Sequence, residues 1–270
     1  MTFSYTDTQM LLYNLSIGMG RDPSISQELP FVYEHPHLQV VPSAAAVLGG
    51  GGANILQGVD INWAKLLHGE QRLRVFQPLP PAADLIGTTR ISEVVDKGID
   101  KGAIITLEMD VKLANGEPLY LMENVIFCRG DGGCGGPTKS KASPHVLPDR
   151  EPDFHYVTQT RADQALLYRL NGDRNPLHAD PKFAQKAGFE KPILHGLCSY
   201  GIACRAVLAT VCDYNPGKIN RFDVRMTSPV FPGETIGTDI WVDGNTISFQ
   251  CRAMERDVIL ISNGRCDLNN

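Results

Sequence analysis

The sequence predicts an α+β protein built from two tandem units, each an antiparallel sheet wrapped around a central helix. Three observations carry the prediction. Distinctive strings recur at a spacing of 150 to 155 positions along the 270 residues, each copy runs from a helix into alternating strands, and a cluster of chain breakers divides the two copies.

The recurrence is specific. Leu11-Leu12-Tyr13-Asn14-Leu15 returns as Leu166-Leu167-Tyr168-Arg169-Leu170, and each string closes into glycine, at Gly18 and Gly172. PLPPAADLIGTT, with Gly87, resembles SPVFPGETIGTD, with Gly237. His68-Gly69 also returns as His195-Gly196, although the residues that follow differ. The first two recurrences are offset by 155 and 150 positions, the near agreement that a duplication with small insertions leaves behind.

The seam lies at Arg129 to Pro152, where glycine, proline, lysine and serine replace any apolar period. This divides the chain into a first unit (1–129), a linker (130–152) and a second unit (153–270). In the second unit, Thr160 is placed to cap a helix whose apolar face is Ala165, Leu166, Leu167 and Leu170. Leu197 to Thr210 then reads as a second helix, small and apolar all round, which suits a helix enclosed by sheet. Alternation marks strands over Thr235 to Val242 and Thr246 to Cys251, joined by the Asp243-Gly244-Asn245 turn. One unit alone would leave a bare strand edge; two units joined edge to edge cover it and open a groove between them.

Composition narrows the function. Hydrophobic residues at 43% and charged residues at 20% are globular values, and a net charge of −5 provides no basic field for nucleic acid or anionic membrane. The long uncharged stretch from Leu38 to Val59 is broken by Pro42, Ser43, Gly49 to Gly52, Asn54 and Gln57, so no membrane span is expected. The first residues lack the basic and apolar regions of a signal peptide, which points to an intracellular protein. Seven cysteines without a CxxC pair read as reduced thiols rather than a metal centre, and nothing requires Cys128 and Cys134 to pair. The four glycines before Asn54 lack the phosphate-loop pattern and read as a packed segment.

Reactive residue types are densest from Tyr168 to His178. Gly172 can end the helix and Pro176 stiffens the following loop, so Asp173, Asn175 and His178 are held close together. Asp and His form the proton-accepting and proton-donating pair that adding water to a polarised double bond needs, and Asn175 can orient that water. A second cluster, Lys191-Pro192-Ile193-Leu194-His195-Gly196, opens the apolar helix. At such an N-terminus the Gly196 N–H can reach a thioester oxygen unobstructed by a side chain, while His195 braces the loop.

The Gly-Asp-x-Asn-Pro-Leu-His string, with PILHGLCSYG after it and LLHGEQ before it, closely resembles the (R)-specific 2-enoyl-CoA hydratases. These form the MaoC-like double hot-dog family, and the likeness is greatest to the hydratase region of peroxisomal multifunctional β-oxidation enzymes. The resemblance implies reversible addition of water to a trans-2-enoyl-CoA, giving a (3R)-3-hydroxyacyl-CoA. It makes Asp173 and His178 the catalytic pair, Asn175 the residue that positions water, and Gly196 the oxyanion donor. It gives Glu34, Asp153, Tyr168 and His195 supporting roles, and places His68, Gly69, Lys97, Arg225 and Met226 along the coenzyme A groove. It also implies a homodimer, and no cofactor or metal, since coenzyme A is part of the substrate.

Where the second unit has Asn-Pro-Leu-His, the first has Gly20-Arg21-Asp22-Pro23, so the first unit is expected to hold the acyl chain and the second to do the chemistry. A dehydratase running the same reaction backwards in a synthetic pathway, and a non-catalytic acyl-CoA-binding module, are the alternatives. Family resemblance points to the peroxisome, but the chain shows no Ser-Lys-Leu signal, and the cytoplasm stays open.

Overall fold

The computed structural model describes residues 1–269, with the side chains of residues 51–54 and 64 outside the description, so part of the glycine stretch before Asn54 falls there. The first unit comprises strands β1 (Thr2–Tyr5), β2 (Leu66–Val75), β3 (Ala83–Asp96), β4 (Ala103–Leu113) and β5 (Pro118–Cys128), with helices α1 (Asp7–Ser16) and α2 (Leu29–Val32). The second comprises β6 (Phe154–Gln159), β7 (Ile219–Met226), β8 (Thr235–Asp243), β9 (Thr246–Ala253) and β10 (Val258–Leu268), with α3 (Gln164–Tyr168), α4 (Pro181–Lys186) and α5 (Gly196–Thr210).

All ten strands form one sheet, ordered β1-β3-β4-β5-β2-β7-β10-β9-β8-β6, and its paired strands run antiparallel. Replacing each strand by its counterpart in the other unit reverses this order onto itself. A pseudo-twofold axis therefore passes through the β2–β7 pair, where Glu70 to Arg74 oppose Arg225 to Arg221. This is the edge-to-edge union of two units expected of the double hot-dog fold, and Gly87 on β3 and Gly237 on β8 occupy matching strands. Asp223 fastens the junction: its Oδ1 accepts the Leu73 N–H at 3.2 Å and its Oδ2 is paired with Arg221.

The sheet wraps α5, which is largely apolar all round because sheet and helices surround it. Gly201 sets how closely α1 can cross it, since a Cβ there would lie 2.5 Å from Ile17 Cγ2 and 2.8 Å from the Tyr13 hydroxyl. The two early helices meet at Ser16. Its carbonyl accepts from the Gln164 side chain at 2.5 Å, and its hydroxyl oxygen accepts from Asn171 Nδ2 at 2.9 Å. Tyr13 and Tyr168, partners in the repeat, touch edge to face with centroids 6.2 Å apart.

Three local expectations change. Among the described residues the first unit has no long α-helix matching α5; Pro42–Leu56, rich in glycine and alanine, winds instead as 3-10 turns, consistent with the cost of helical glycine. His68-Gly69 lies on β2 rather than at a helix start, so its likeness to His195-Gly196 is not part of the repeat. Thr160 does not cap α3, whose N-cap is Asp163; the Thr160 hydroxyl donates to the Glu234 carbonyl and accepts the Gly233 N–H. The seven cysteines are free thiols, with Cys134 alone exposed, and among the described residues no helix is long and apolar enough to cross a membrane.

Candidate active site

The reactive string folds as a chain of side-chain-to-backbone turns. After α3, residues Arg169–Asn171 tighten into a 3-10 turn that ends at Gly172, whose φ of 123° favours glycine. The Asp173 Oδ1 accepts the Asn175 N–H at 3.0 Å, and Asn175 Oδ1 in turn accepts the Leu177 N–H at 3.0 Å. Pro176 opens the short turn Pro176–His178, which delivers the imidazole inward. The Asn175 oxygen is thus committed to capping, which leaves its amide donors for orienting a water.

His178 is buried, and its Nδ1–H donates to the Ile193 carbonyl at 2.8 Å. A carbonyl only accepts, so this bond fixes the tautomer and leaves a lone pair on Nε2. The Ile193 segment is itself held by the Leu194 N–H, which donates to the Val230 carbonyl at 2.7 Å. His195, the N-cap of α5, stacks on His178 with centroids 3.7 Å apart and planes 25° from parallel. Its Nε2–H points to the Asp173 carbonyl at 3.3 Å, and Tyr168 packs on its ring at 5.0 Å. Tyr168 and His195 thus pack against the loop that carries Asp173.

Burial holds these imidazoles neutral. It pulls His178 below the ordinary histidine range, and it takes His195 to about 4, helped by the neighbouring His178. His68, on β2 of the first unit, is pulled to about 4 by burial as well, against an opposing pull from the nearby Asp173 carboxylate. The His68 Nε2 lies 3.2 Å from the Glu70 carbonyl on its own strand. Gly69 follows at a bulge between β2 and β5.

The Asp173 Oδ2 stands 3.9 Å from His178 Nε2 and 4.0 Å from His195 Nε2. Both gaps exceed a direct hydrogen bond, and the one to His178 matches two acceptors sharing one water. Beside them α5 begins at Gly196, whose N–H has no acceptor among the described residues. A Cβ at Gly196 would lie 2.6 Å from Met226 Sδ, so only glycine keeps this N–H approachable with Met226 in place.

Other expected residues lie apart from this cluster. Glu34 stands half exposed beside His35 at 4.0 Å. Asp153 anchors β6, accepting the Val242 N–H at 2.7 Å and pairing with Arg150 at 2.8 Å. Lys97 is exposed in the β3–β4 turn. Arg225, next to Met226, borders a cavity of about 320 Å³ shared with Arg72, Arg221 and Arg265.

Sequence reasoning passed over the buried pair between Glu28 and Arg205. Glu28 is 0% and Arg205 7% exposed at the side chain, and the guanidinium approaches to 2.6 Å. Glu28 Oε2 also accepts the Gly20 N–H at 2.7 Å. The signal was present: a single charge inside an otherwise apolar helix demands a buried partner.

Comparison with known proteins accounts for both units. Residues 3–130 match the model of the MFE-2 hydratase 2 N-terminal domain, and residues 144–264 match that of the MaoC like domain. The chain is 37% identical to enoyl-CoA hydratase ChsH3 of Mycobacterium tuberculosis, covering 97% of this chain and 92% of that protein. It is 40% identical to the peroxisomal multifunctional enzyme type 2 of Mus musculus, covering 98% of this chain but only 36% of that longer protein. The crystal structure of a MaoC-like dehydratase from Phytophthora capsici superposes with a TM-score of 0.88 at 31% identity, covering 100% of this chain and 94% of that one.

Proposed function

The chain belongs to the MaoC-like enoyl-CoA hydratase 2 family, and we propose that it adds water reversibly to trans-2-enoyl-CoA thioesters to give (3R)-3-hydroxyacyl-CoA. The observation that carries this reading is the 3.9 Å gap between Asp173 Oδ2 and the unprotonated Nε2 of His178, set beside the start of α5.

A water held between these two atoms and oriented by the Asn175 amide loses a proton to the pair as its oxygen attacks Cβ. The thioester oxygen gains enolate charge and is held by the Gly196 N–H at the positive end of α5. The pair then returns one proton to Cα, so one water is consumed and no proton is gained or lost overall. Attack from one fixed side of a bound enoyl group gives one configuration at Cβ.

Tyr168 and His195 position the loop, while His68, Gly69 and Met226 border the thioester. Arg225 has no carboxylate partner among the described residues and borders a cavity whose other arginines, Arg72, Arg221 and Arg265, are paired with carboxylates, which leaves Arg225 as the guanidinium available to a phosphate of coenzyme A. Lys97 belongs to the outer end of that groove in this reading, and Glu34 and Asp153 hold the surrounding chain. The reaction requires no bound cofactor or metal. In the first unit, turns rich in small residues occupy the place of a central helix, which supports its assignment to the acyl chain. The peroxisomal relative supports a peroxisomal setting, and a pair of chains is the expected assembly.

The dehydratase direction is favoured by one finding, the likeness to a protein named as a MaoC-like dehydratase. Purified protein mixed with crotonyl-CoA or trans-2-decenoyl-CoA tests the reading by loss of the enoyl-thioester absorbance. Hydration without release of free thiol is expected; thiol release instead, or an unchanged spectrum, would overturn it.

A further inference from the structure

We propose that Ser16 of the first unit is a positioning residue for the reaction, holding the start of the Asp173 loop through Asn171 and so fixing the gap between Asp173 and His178. The consequence for turnover rests on reading that pair as the hydratase centre; the hold on the loop stands on geometry.

The loop is tied down at two ends. At its far end the His178 Nδ1–H donates to the Ile193 carbonyl at 2.8 Å. At its near end the anchor is Asn171, one residue before the turning point at Gly172. The Asn171 Nδ2 donates at 2.9 Å to the Ser16 hydroxyl oxygen and at 2.9 Å to the Tyr168 carbonyl. Between these anchors the Asp173 and Asn175 side chains bond to the loop's own backbone. Among the described residues, the hydrogen bond that reaches Asp173 from outside the loop is the long 3.3 Å contact from His195. The Asp173 side chain is 55% exposed, so little packing restrains it in place of those anchors.

Ser16 suits the role because its proton is already committed. It is fully buried on α1, and its hydroxyl donates to the Tyr13 carbonyl at 2.7 Å, which leaves lone pairs toward Asn171. The Tyr168 carbonyl only accepts as well, so the two bonds decide which way the Asn171 amide faces. The Ser16 carbonyl accepts from Gln164 Nε2 at 2.5 Å and from the Cys198 thiol at 3.6 Å, tying α3 and the first turn of α5 to the same point. Ser16 and Asn171 stand 155 positions apart, the spacing of Tyr13 and Tyr168, so two copies of one position meet across the pseudo-twofold axis. The unit without the acid–base pair thereby sets the geometry of that pair in the other unit.

Ser16→Ala removes the hydroxyl and keeps the carbonyl. Its kcat on crotonyl-CoA should fall by about tenfold to a hundredfold, the scale of a misplacement near 1 Å, with KM moved by less than about twofold. Asn171→Ala should act alike, and it carries the test if the buried variant does not fold. Added to Asp173→Asn, either change should lower kcat by less than about twofold more, because the group it positions is gone, whereas a merely structural loss would multiply in full. Hydrogen exchange reads the hold without substrate: residues 172–178 should exchange faster in Ser16→Ala, by about tenfold, while α5 keeps its protection. Parent-like kcat in both variants, losses that multiply in full with Asp173→Asn, or unchanged exchange over 172–178 would overturn the proposal. Faster loop exchange in a chain whose parent never hydrates enoyl-CoA upholds the hold on the loop and refutes the hydratase reading.

Discussion

Arg205 lies near the far end of the helix that begins at Gly196, and its only carboxylate partner among the described residues is Glu28 of the first unit. Glu28→Gln removes the charge and keeps the shape, leaving a guanidinium 7% exposed without its counter-ion. Arg205→Met leaves the carboxylate with the Gly20 N–H at 2.7 Å and the Tyr214 hydroxyl at 3.4 Å. Stranding one partner of a buried pair costs about 3 to 5 kcal/mol, whereas removing both charges together is often close to neutral. Each single variant should therefore lose about 3 to 5 kcal/mol, and the double variant far less than their sum, a coupling of roughly 3 kcal/mol. The assay is guanidinium unfolding followed by circular dichroism and by fluorescence. Trp63 in the first unit and Trp241 in the second should report one shared transition, because the sheet is continuous. Single variants within 1 kcal/mol of the parent, or a double variant equal to the sum, would show that the pair does not join the units as described.

Asp173→Asn should lower turnover by about a hundredfold or more while leaving the melting temperature near that of the parent, since the side chain is exposed and outside the core; steady-state kinetics and a thermal melt on one preparation check both. Because burial lowers His178, and the neutral imidazole is the working form, kcat/KM should stay level through neutrality and fall only below the ordinary histidine value of 6.5. His68 and His195 have folded values near 4, below the unfolded 6.5, so the unfolded chain binds more protons between those limits. Stability should be full above 6.5 and be lost as the pH falls toward 4, and His68→Asn should flatten that loss in melting curves taken across the window. Gly264→Ala should destabilise by about 3 kcal/mol, because its Cβ would lie 2.4 Å from the Phe249 carbonyl and 2.5 Å from that ring. A melt unchanged by that substitution would contradict the close approach of β9 and β10.

The sequence was most legible where local chemistry decides. Gly172, Pro176 and the Asx turns of Asp173 and Asn175 build their loop from neighbouring residues, and α5 announces itself by a run of small, mostly apolar side chains interrupted by the charge of Arg205. Long-range features were hidden. The order of ten strands depends on edges meeting across the pseudo-twofold axis, and only the repeat pointed toward it. His68-Gly69 matched His195-Gly196 as letters but not as structure, since one lies in a strand and the other begins a helix. The first unit's lost central helix was invisible to a repeat argument, which presumes equal elements in both copies. The strut from Glu28 to Arg205 joins residues far apart in sequence, and only the oddity of a charge within α5 hinted at it.

The central claim is that Asp173 and His178 add water from one fixed side of an enoyl-thioester whose carbonyl rests on the start of α5. Chiral analysis of the 3-hydroxyacyl-CoA formed from trans-2-decenoyl-CoA tests it most directly. A product of (3R) configuration alone, formed by the parent and nearly absent with His178→Gln, is predicted; an (S) or racemic product, or undiminished hydration by that variant, would contradict the account.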